Sequence, residues 1–423
     1  MTRLLITNGR VIDPWQKLDR VTNVLIENGR IAAYDVHAHD IRTLDASGKI
    51  VAPGLIDFHA QLREPGLEED ETIETGTAAA IAGGYTSLCP LPETNPPVDT
   101  PAGVEFVRQK AWKADHCHVF PIACVSKDQA GKELAEIGSL VEAGAIAFSD
   151  GTRPIENSDL LRRALEYCQM FDRPVLHHPE VLELTRGGVM HEGRVSLVLG
   201  LGGMPTEAED VMVSRDIRLA EAMRGRLHLM HISSIGSVEI VRRVRARGVQ
   251  ITTGICAWNL ALTDEALRTF DPHLKLNPPL RSEKHRDACL SALQDGTIDV
   301  ISSGHSPRAV EKKMQEFDLA PFGMTSLETT LSVVITKLIA PGVLSWNDAL
   351  AKLTCNPARV LGLSKGTLAV GADADVVLID PEAKWTVDVS KFRSKSENTP
   401  LQGMELQGRV STVLVNGVVK FGG

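Results

Sequence analysis

Four histidines, His59, His178, His231 and His305, stand at or near the ends of short apolar runs, "APGLIDFHA", "PVLHHPE", "LHLMHIS" and "TIDVISSGH". Neutral imidazole is the commonest metal ligand among side chains, and it also carries protons near neutral pH. Histidines converging from several strand ends can therefore hold a cation that activates water against a carbonyl. A single such histidine is ordinarily a hydrogen-bonded core or rim residue, whereas four at one edge point to a site. Asp150 closes another run, "AIAFSD", and Arg63, four residues after His59, offers the paired N–H groups that grip a carboxylate. His37-Ala38-His39 and His116-Cys117-His118 also have the spacing of two ligands. Neither ends the first run, and short motifs of this kind arise by chance, so both read as structural or surface residues.

These side chains need a frame that brings strand ends together. Between Val51 and about Lys365, eight apolar runs alternate with helical stretches, which predicts an α/β fold, a (β/α)₈ TIM barrel over residues 53–365. Functional groups of such barrels lie at the C-terminal ends of the strands. The two chain ends look alike instead. "LLITNGRVID", "VLIENGRIAA" and "TVLVNGVVKF" each put Asn-Gly between β-branched runs, the signature of a tight hairpin. Residues 1–52 plus 366–423 thus predict one small, sandwich-like β-domain built from both termini.

Composition narrows the function classes. With 45 Lys plus Arg against 54 Asp plus Glu, the chain of 423 residues carries a net charge of -9, which excludes a general nucleic-acid binder. "RRVRARG" (Arg242 to Gly248) reads as the solvated face of a helix, and Glu68-Glu69-Asp70-Glu71 as a solvated loop and helix start. No apolar run reaches the roughly 18 residues of a membrane span, and the N-terminus has no signal-peptide pattern, so a cytoplasmic location is expected. Seven scattered cysteines without a C-x-x-C pair read as buried thiols.

Over nearly its whole length the sequence resembles the dihydroorotases of the amidohydrolase superfamily. The resemblance is carried by "APGLIDFHAQLREPG" (Ala52 to Gly66), "NPPLR" (Asn277 to Arg281), "DGTIDVISSGHSP" (Asp295 to Pro307), "APFGMTSLET" (Ala320 to Thr329), "TCNPARVLGL" (Thr354 to Leu363), "GTLAVGADADVVLIDP" (Gly366 to Pro381) and "RSKSENTP" (Arg393 to Pro400). It implies a two-metal site: an HxH pair on the first strand, a bridging carboxylate, two further histidines, and a final Asp serving as ligand and base. His59, His178 and His231 match that pattern. The second HxH position is Gln61, the bridging acid falls on Gly151 beside Asp150, and the final Asp falls on Gly304. The resemblance thus leaves no catalytic base and half of the ligand positions. No cofactor is expected beyond zinc at low occupancy, with His178, His231 and Asp150 as the conceivable one-metal set.

The substrate positions are altered too. Arg63 and Asn277 match the family, but Glu93 replaces a carboxylate-binding Asn, Arg308 replaces a His, and Trp258-Asn259 replaces a His-His pair. Glu93 is expected to approach Arg63 and balance its charge, since a lone buried Arg is costly. Restoring Gln61→His, Gly151→Asp and Gly304→Asp is expected to return metal binding before turnover. Three readings remain open. The first is a non-catalytic dihydroorotase-like subunit that supports aspartate carbamoyltransferase in pyrimidine biosynthesis, as a hetero-oligomer with its catalytic chain. The second is a weakly active cyclic-amide hydrolase, of dihydroorotase or hydantoinase type, with a remodelled single-metal site. The third is a small-molecule-binding regulatory homologue.

Overall fold

Apolar runs long enough to be buried on both faces become the strands of a closed parallel sheet. They are Leu55–Ala60, Tyr85–Pro90, a third strand in two pieces (His118–Val119 and Ile122–Ala123), Ala147–Phe148, Val175–His177, Leu227–Leu229, Ile251–Cys256 and Val300–Ser302. The third is split at Pro121, which has no N–H to give to a ladder. Each strand pairs in parallel with the next. The ring closes where Ala60 bridges His305 and the Gln61 N–H donates to the His305 carbonyl at 2.9 Å. The structure, a computed structural model, describes residues 3–36 and 40–422, so the His37-Ala38-His39 motif lies outside the described residues.

The crossover helices follow from capping and periodicity. Ser158–Gln169 starts at Asn157, whose side chain accepts from the N–H groups of Asp159 and Leu160, and it buries Leu160, Leu161, Ala164, Leu165 and Cys168 along one stripe. Helix Ile235–Arg245 carries most of "RRVRARG" and buries Val238, Val241 and Val244, leaving its arginines to pair with Asp295 and Asp299 on neighbouring segments. No described helix is long and apolar enough to cross a membrane.

Both chain ends join one eight-stranded sheet. Its order is Val418–Gly422, Glu405–Val415, Val376–Thr386, Ile50–Pro53, Arg3–Asp13, Leu18–Glu27 and Arg30–Tyr34, with Arg42–Asp45 also on Arg3–Asp13. Two of the three Asn-Gly pairs make the expected hairpins, with positive φ at Asn28 and Gly29 and at Asn416 and Gly417. The third does not. Arg3–Asp13 runs on through Asn8-Gly9 as one strand, with a register shift between Ile6 and Gly9, and the chain turns instead at Pro14–Lys17. The reason is packing: a Cβ on Gly9 would lie 2.5 Å from Val51 Cγ2, so this glycine serves a close strand-to-strand approach at a bulge.

The acidic stretch also departs from expectation. Asp70 and Glu71 are fully buried. Glu71 accepts from the Ser394 hydroxyl, the Thr75 hydroxyl and the Lys395 N–H, and Asp70 accepts from the Ala309 N–H at 2.8 Å and pairs with Lys312 at 2.9 Å. Burial of these carboxylates is tolerated because they tie the "RSKSENTP" segment and the loop after the eighth strand to the barrel mouth. Only Glu68 and Glu69 remain toward solvent.

Candidate functional site

His59 lies within the first strand, His178 directly follows the fifth, and His231 follows the sixth by two residues, so the barrel places all three at its C-terminal mouth. The His59 and His231 rings sit 3.5 Å apart between centroids, and the His178 ring 5.2 Å from that of His231. Burial first, then the proximity of the other imidazoles, pulls His59 down to about 3 and His231 well below its usual range. Both are therefore neutral, the form that ligates metals. Cys256, the last residue of the seventh strand, brings its Sγ to 3.5 Å from His59 Nδ1. Among the described residues, His59, His231 and Cys256 are the one set of three His, Cys, Asp or Glu side chains whose donor atoms lie within 4.8 Å of one another.

The expected set of His178, His231 and Asp150 is not brought together. Asp150 accepts from the Val125 N–H at 2.9 Å, the Ser126 N–H at 3.0 Å and the Ser126 hydroxyl at 2.5 Å, which anchor it to the end of the third strand. His178 is held through Nε2 by Glu180 at 2.9 Å, and Glu180 also accepts from Asn277 at 2.9 Å and Thr185 at 2.5 Å. Burial opposes ionisation of Glu180, but the hydrogen bond and charge of His178 outweigh it and hold the carboxyl at about 2. His305, the fourth strand-end histidine, accepts the Ser326 N–H at 3.1 Å and faces Glu71 at 3.5 Å, so it braces the mouth.

The positions without donors are filled by other side chains. Gln61 donates its amide to the Glu93 carboxylate and accepts the Ser306 hydroxyl at 2.5 Å; the Thr152 hydroxyl donates to the other Glu93 oxygen at 2.5 Å. Arg63 donates to Ser306 Oγ at 2.9 Å and to the Pro307 carbonyl at 3.3 Å. Glu93 and Arg63 thus do not form the expected direct pair: Gln61 and Ser306 stand between them and relay the interaction. Burial, with the Arg308 charge next, brings Arg63 down to about 9. At Gly151, with φ +64°, an added Cβ would lie 2.3 Å from Glu93 Cγ. At Gly304, with φ +60°, it would lie 2.1 Å from Trp258 Cη2 and 2.7 Å from Cys256 Sγ. Restoring aspartates at these two glycines therefore meets left-handed backbone at both, the movable end of Glu93 at Gly151, and the packed indole of Trp258 at Gly304.

What remains of the mouth is a cavity of about 250 Å³, lined by His59, Gln61, Thr152, Trp258, Asn277 and Arg308 among others. Arg308 donates to the Phe322 carbonyl at 3.0 Å and faces Asp70 at 3.6 Å. His118 of the second HxH pattern opens the third strand, at the end opposite the mouth, between Lys365 at 3.0 Å and Asp375 at 3.2 Å. Sequence reasoning missed two contributors. Cys256 ends the run "VQITTGIC", the same strand-end position that singled out the histidines, and Glu180 follows His178 by two residues.

A parallel barrel with histidines gathered at its C-terminal mouth and a β-domain from both termini is the amidohydrolase architecture. Residues 48–237 match the family described as Dihydro-orotase-like, and residues 220–421 match the Amidohydrolase family. The chain is 48% identical to a dihydroorotase of Pelotomaculum thermopropionicum, over 99% of this chain and 98% of that one, and 45% identical to a dihydroorotase of Syntrophus aciditrophicus, over 99% of both. The L-hydantoinase (dihydropyrimidinase) of Arthrobacter aurescens shares the fold, with a TM-score of 0.90 at 24% identity over 100% of this chain and 96% of that one. The chain belongs to the dihydroorotase-like cyclic-amide hydrolase family. The two-metal centre implied by the resemblance does not fit the residues present, because Gln61 is engaged with Glu93 and neither Gly151 nor Gly304 supplies a donor.

Proposed function

We propose that this chain is a non-catalytic dihydroorotase-like subunit that supports assembly and activity of aspartate carbamoyltransferase in pyrimidine biosynthesis. The observation carrying the non-catalytic part is the packing of Trp258 against Gly304. The position of the family's base has no side chain, and the indole takes the room one would need. General acid–base catalysis typically contributes ~10²- to 10⁴-fold, and metal activation of water adds to it. Both contributions depend on residues that this chain replaces. The partner rests on the family resemblance, in which some dihydroorotase-like chains assemble with the transferase. It is supported by a barrel whose frame is complete while its chemistry is removed at several separate strands.

The test is co-expression with an aspartate carbamoyltransferase catalytic chain followed by sizing. One hetero-oligomer, with transferase activity that falls when this chain is omitted, is the expected result. Separate elution with a fully active transferase overturns the proposal. A single-metal cyclic-amide hydrolase is the second reading, favoured by relatives named dihydroorotase and by the paired His59 and His231. Zinc-dependent hydrolysis of dihydroorotate or a hydantoin would establish it.

A further inference from the structure

His231 is almost fully buried, and neither of its ring nitrogens meets a hydrogen-bond partner among the described residues. A neutral imidazole carries one donor and one acceptor, and leaving either unsatisfied in the interior is unfavourable. A thiol hydrogen bond would account for Cys256 and His59 and still leave His231 without a partner. The arrangement around it has the chemistry of a cation site. Two neutral imidazoles and one thiol, from the first, sixth and seventh strands, converge with all donor atoms within 4.8 Å of one another.

We infer that His59, His231 and Cys256 form a site for one thiophilic closed-shell cation of the cuprous or zinc class. The sulfur-to-nitrogen distance agrees, while the His59 and His231 rings, 3.5 Å apart between centroids, must part for both to reach one ion. With bonds near 2.0 Å to nitrogen and 2.3 Å to sulfur, an N and an S donor on one ion stand roughly 3.6–3.8 Å apart. Cys256 Sγ and His59 Nδ1 are 3.5 Å apart. A thiolate selects Cu⁺ and Zn²⁺ over magnesium, calcium or manganese, and imidazole suits the same ions. Three donors complete a trigonal cuprous ion, while zinc would add a water from the adjoining cavity. Binding replaces the S–H bond with an S–metal bond and releases one proton to solvent. The site differs from the family's two-ion centre, in which Cys256 has no place, and it does not use His178, whose Nε2 is bound to Glu180. It depends on neither turnover nor the transferase.

The full chain, purified in reductant and stripped with a chelator, is titrated anaerobically with Cu⁺ against a chromogenic competitor, and separately with Zn²⁺. X-ray absorption is then recorded on the loaded protein. One equivalent of either ion, with one sulfur and two imidazole neighbours, is expected, and the two titrations decide which ion. Cys256→Ser should weaken binding by more than the roughly 10- to 100-fold that follows loss of a ligand's supporting hydrogen bond. Cys168→Ser, buried in a helix elsewhere, should leave it unchanged. If neither ion binds the native chain, or the spectrum of the loaded protein lacks sulfur, the inference is overturned. Those two readouts need no variant and so hold even if Cys256→Ser fails to fold.

Discussion

Replacing Gly304 by alanine puts one methyl group where the structure has a buried indole. The new Cβ would stand 2.1 Å from Trp258 Cη2 and 2.7 Å from Cys256 Sγ, on backbone with φ +60°. Neither neighbour yields easily: Trp258 is 5% exposed, and Cys256 ends a barrel strand. Overpacking a core costs about 1–3 kcal/mol and left-handed backbone at a residue with a Cβ another 1–2, so Gly304→Ala should destabilise the chain by roughly 2–5 kcal/mol. Equilibrium urea unfolding followed by circular dichroism reads this directly. The same measurement on Trp258→Ala and on the double variant closes a cycle. Trp258→Ala alone leaves a cavity and should cost about 3–5 kcal/mol. In the double variant the alanine at position 304 enters that space, so the two penalties should fall short of additive by roughly 1–3 kcal/mol. A Gly304→Ala chain within about 0.5 kcal/mol of the parent, or strictly additive penalties, would refute the view that the indole holds the base position closed.

Two further perturbations test buried charge. Arg281 and Glu209 are both nearly fully buried; they pair at 3.4 Å, and Glu209 also accepts the Ser233 N–H at 2.7 Å and the Ser234 N–H at 3.0 Å. Glu209→Ala strands the guanidinium and should cost about 3–5 kcal/mol in urea unfolding, whereas a change within experimental error would contradict the pairing. Burial raises the Glu328 carboxyl to about 7, against the backbone N–H groups of Ser394 and Arg393 that favour its charge. An acid raised in the folded state opposes folding once ionised, so its penalty is absent below the unfolded pKa, grows between that value and about 7, and is complete above. Glu328→Gln should therefore match the parent at about pH 4 and exceed it by roughly 2–3 kcal/mol at about pH 8, and the reverse ordering would disprove the burial effect.

The barrel strands were legible because fully buried parallel strands read as short apolar runs closed by functional residues, as in "LHLMHIS" and "TIDVISSGH". Hairpins at Asn28-Gly29 and Asn416-Gly417 were legible for the same local reason, the positive φ that both residue types accept. Asn8-Gly9 was not, because its glycine answers to Val51 on a paired strand, a contact that local sequence cannot express. The buried half of Glu68-Glu69-Asp70-Glu71 was hidden likewise, since its partners Ser394 and Lys395 lie more than three hundred residues away. At the site, the substitutions at Gln61, Gly151 and Gly304 were visible from the family pattern. That Glu93 and Trp258 occupy the freed space and that Cys256 joins the histidines are facts of packing between strands, whereas Glu180, two residues after His178, was within reach of the sequence.

The most direct test of the account is hydrolysis of dihydroorotate by the purified chain supplied with zinc, measured alone and in the presence of the transferase catalytic chain. The account predicts no turnover in either mixture above a heat-denatured control. Zinc-dependent turnover that Gln61→Ala or His231→Ala abolishes would contradict it and make the chain an enzyme.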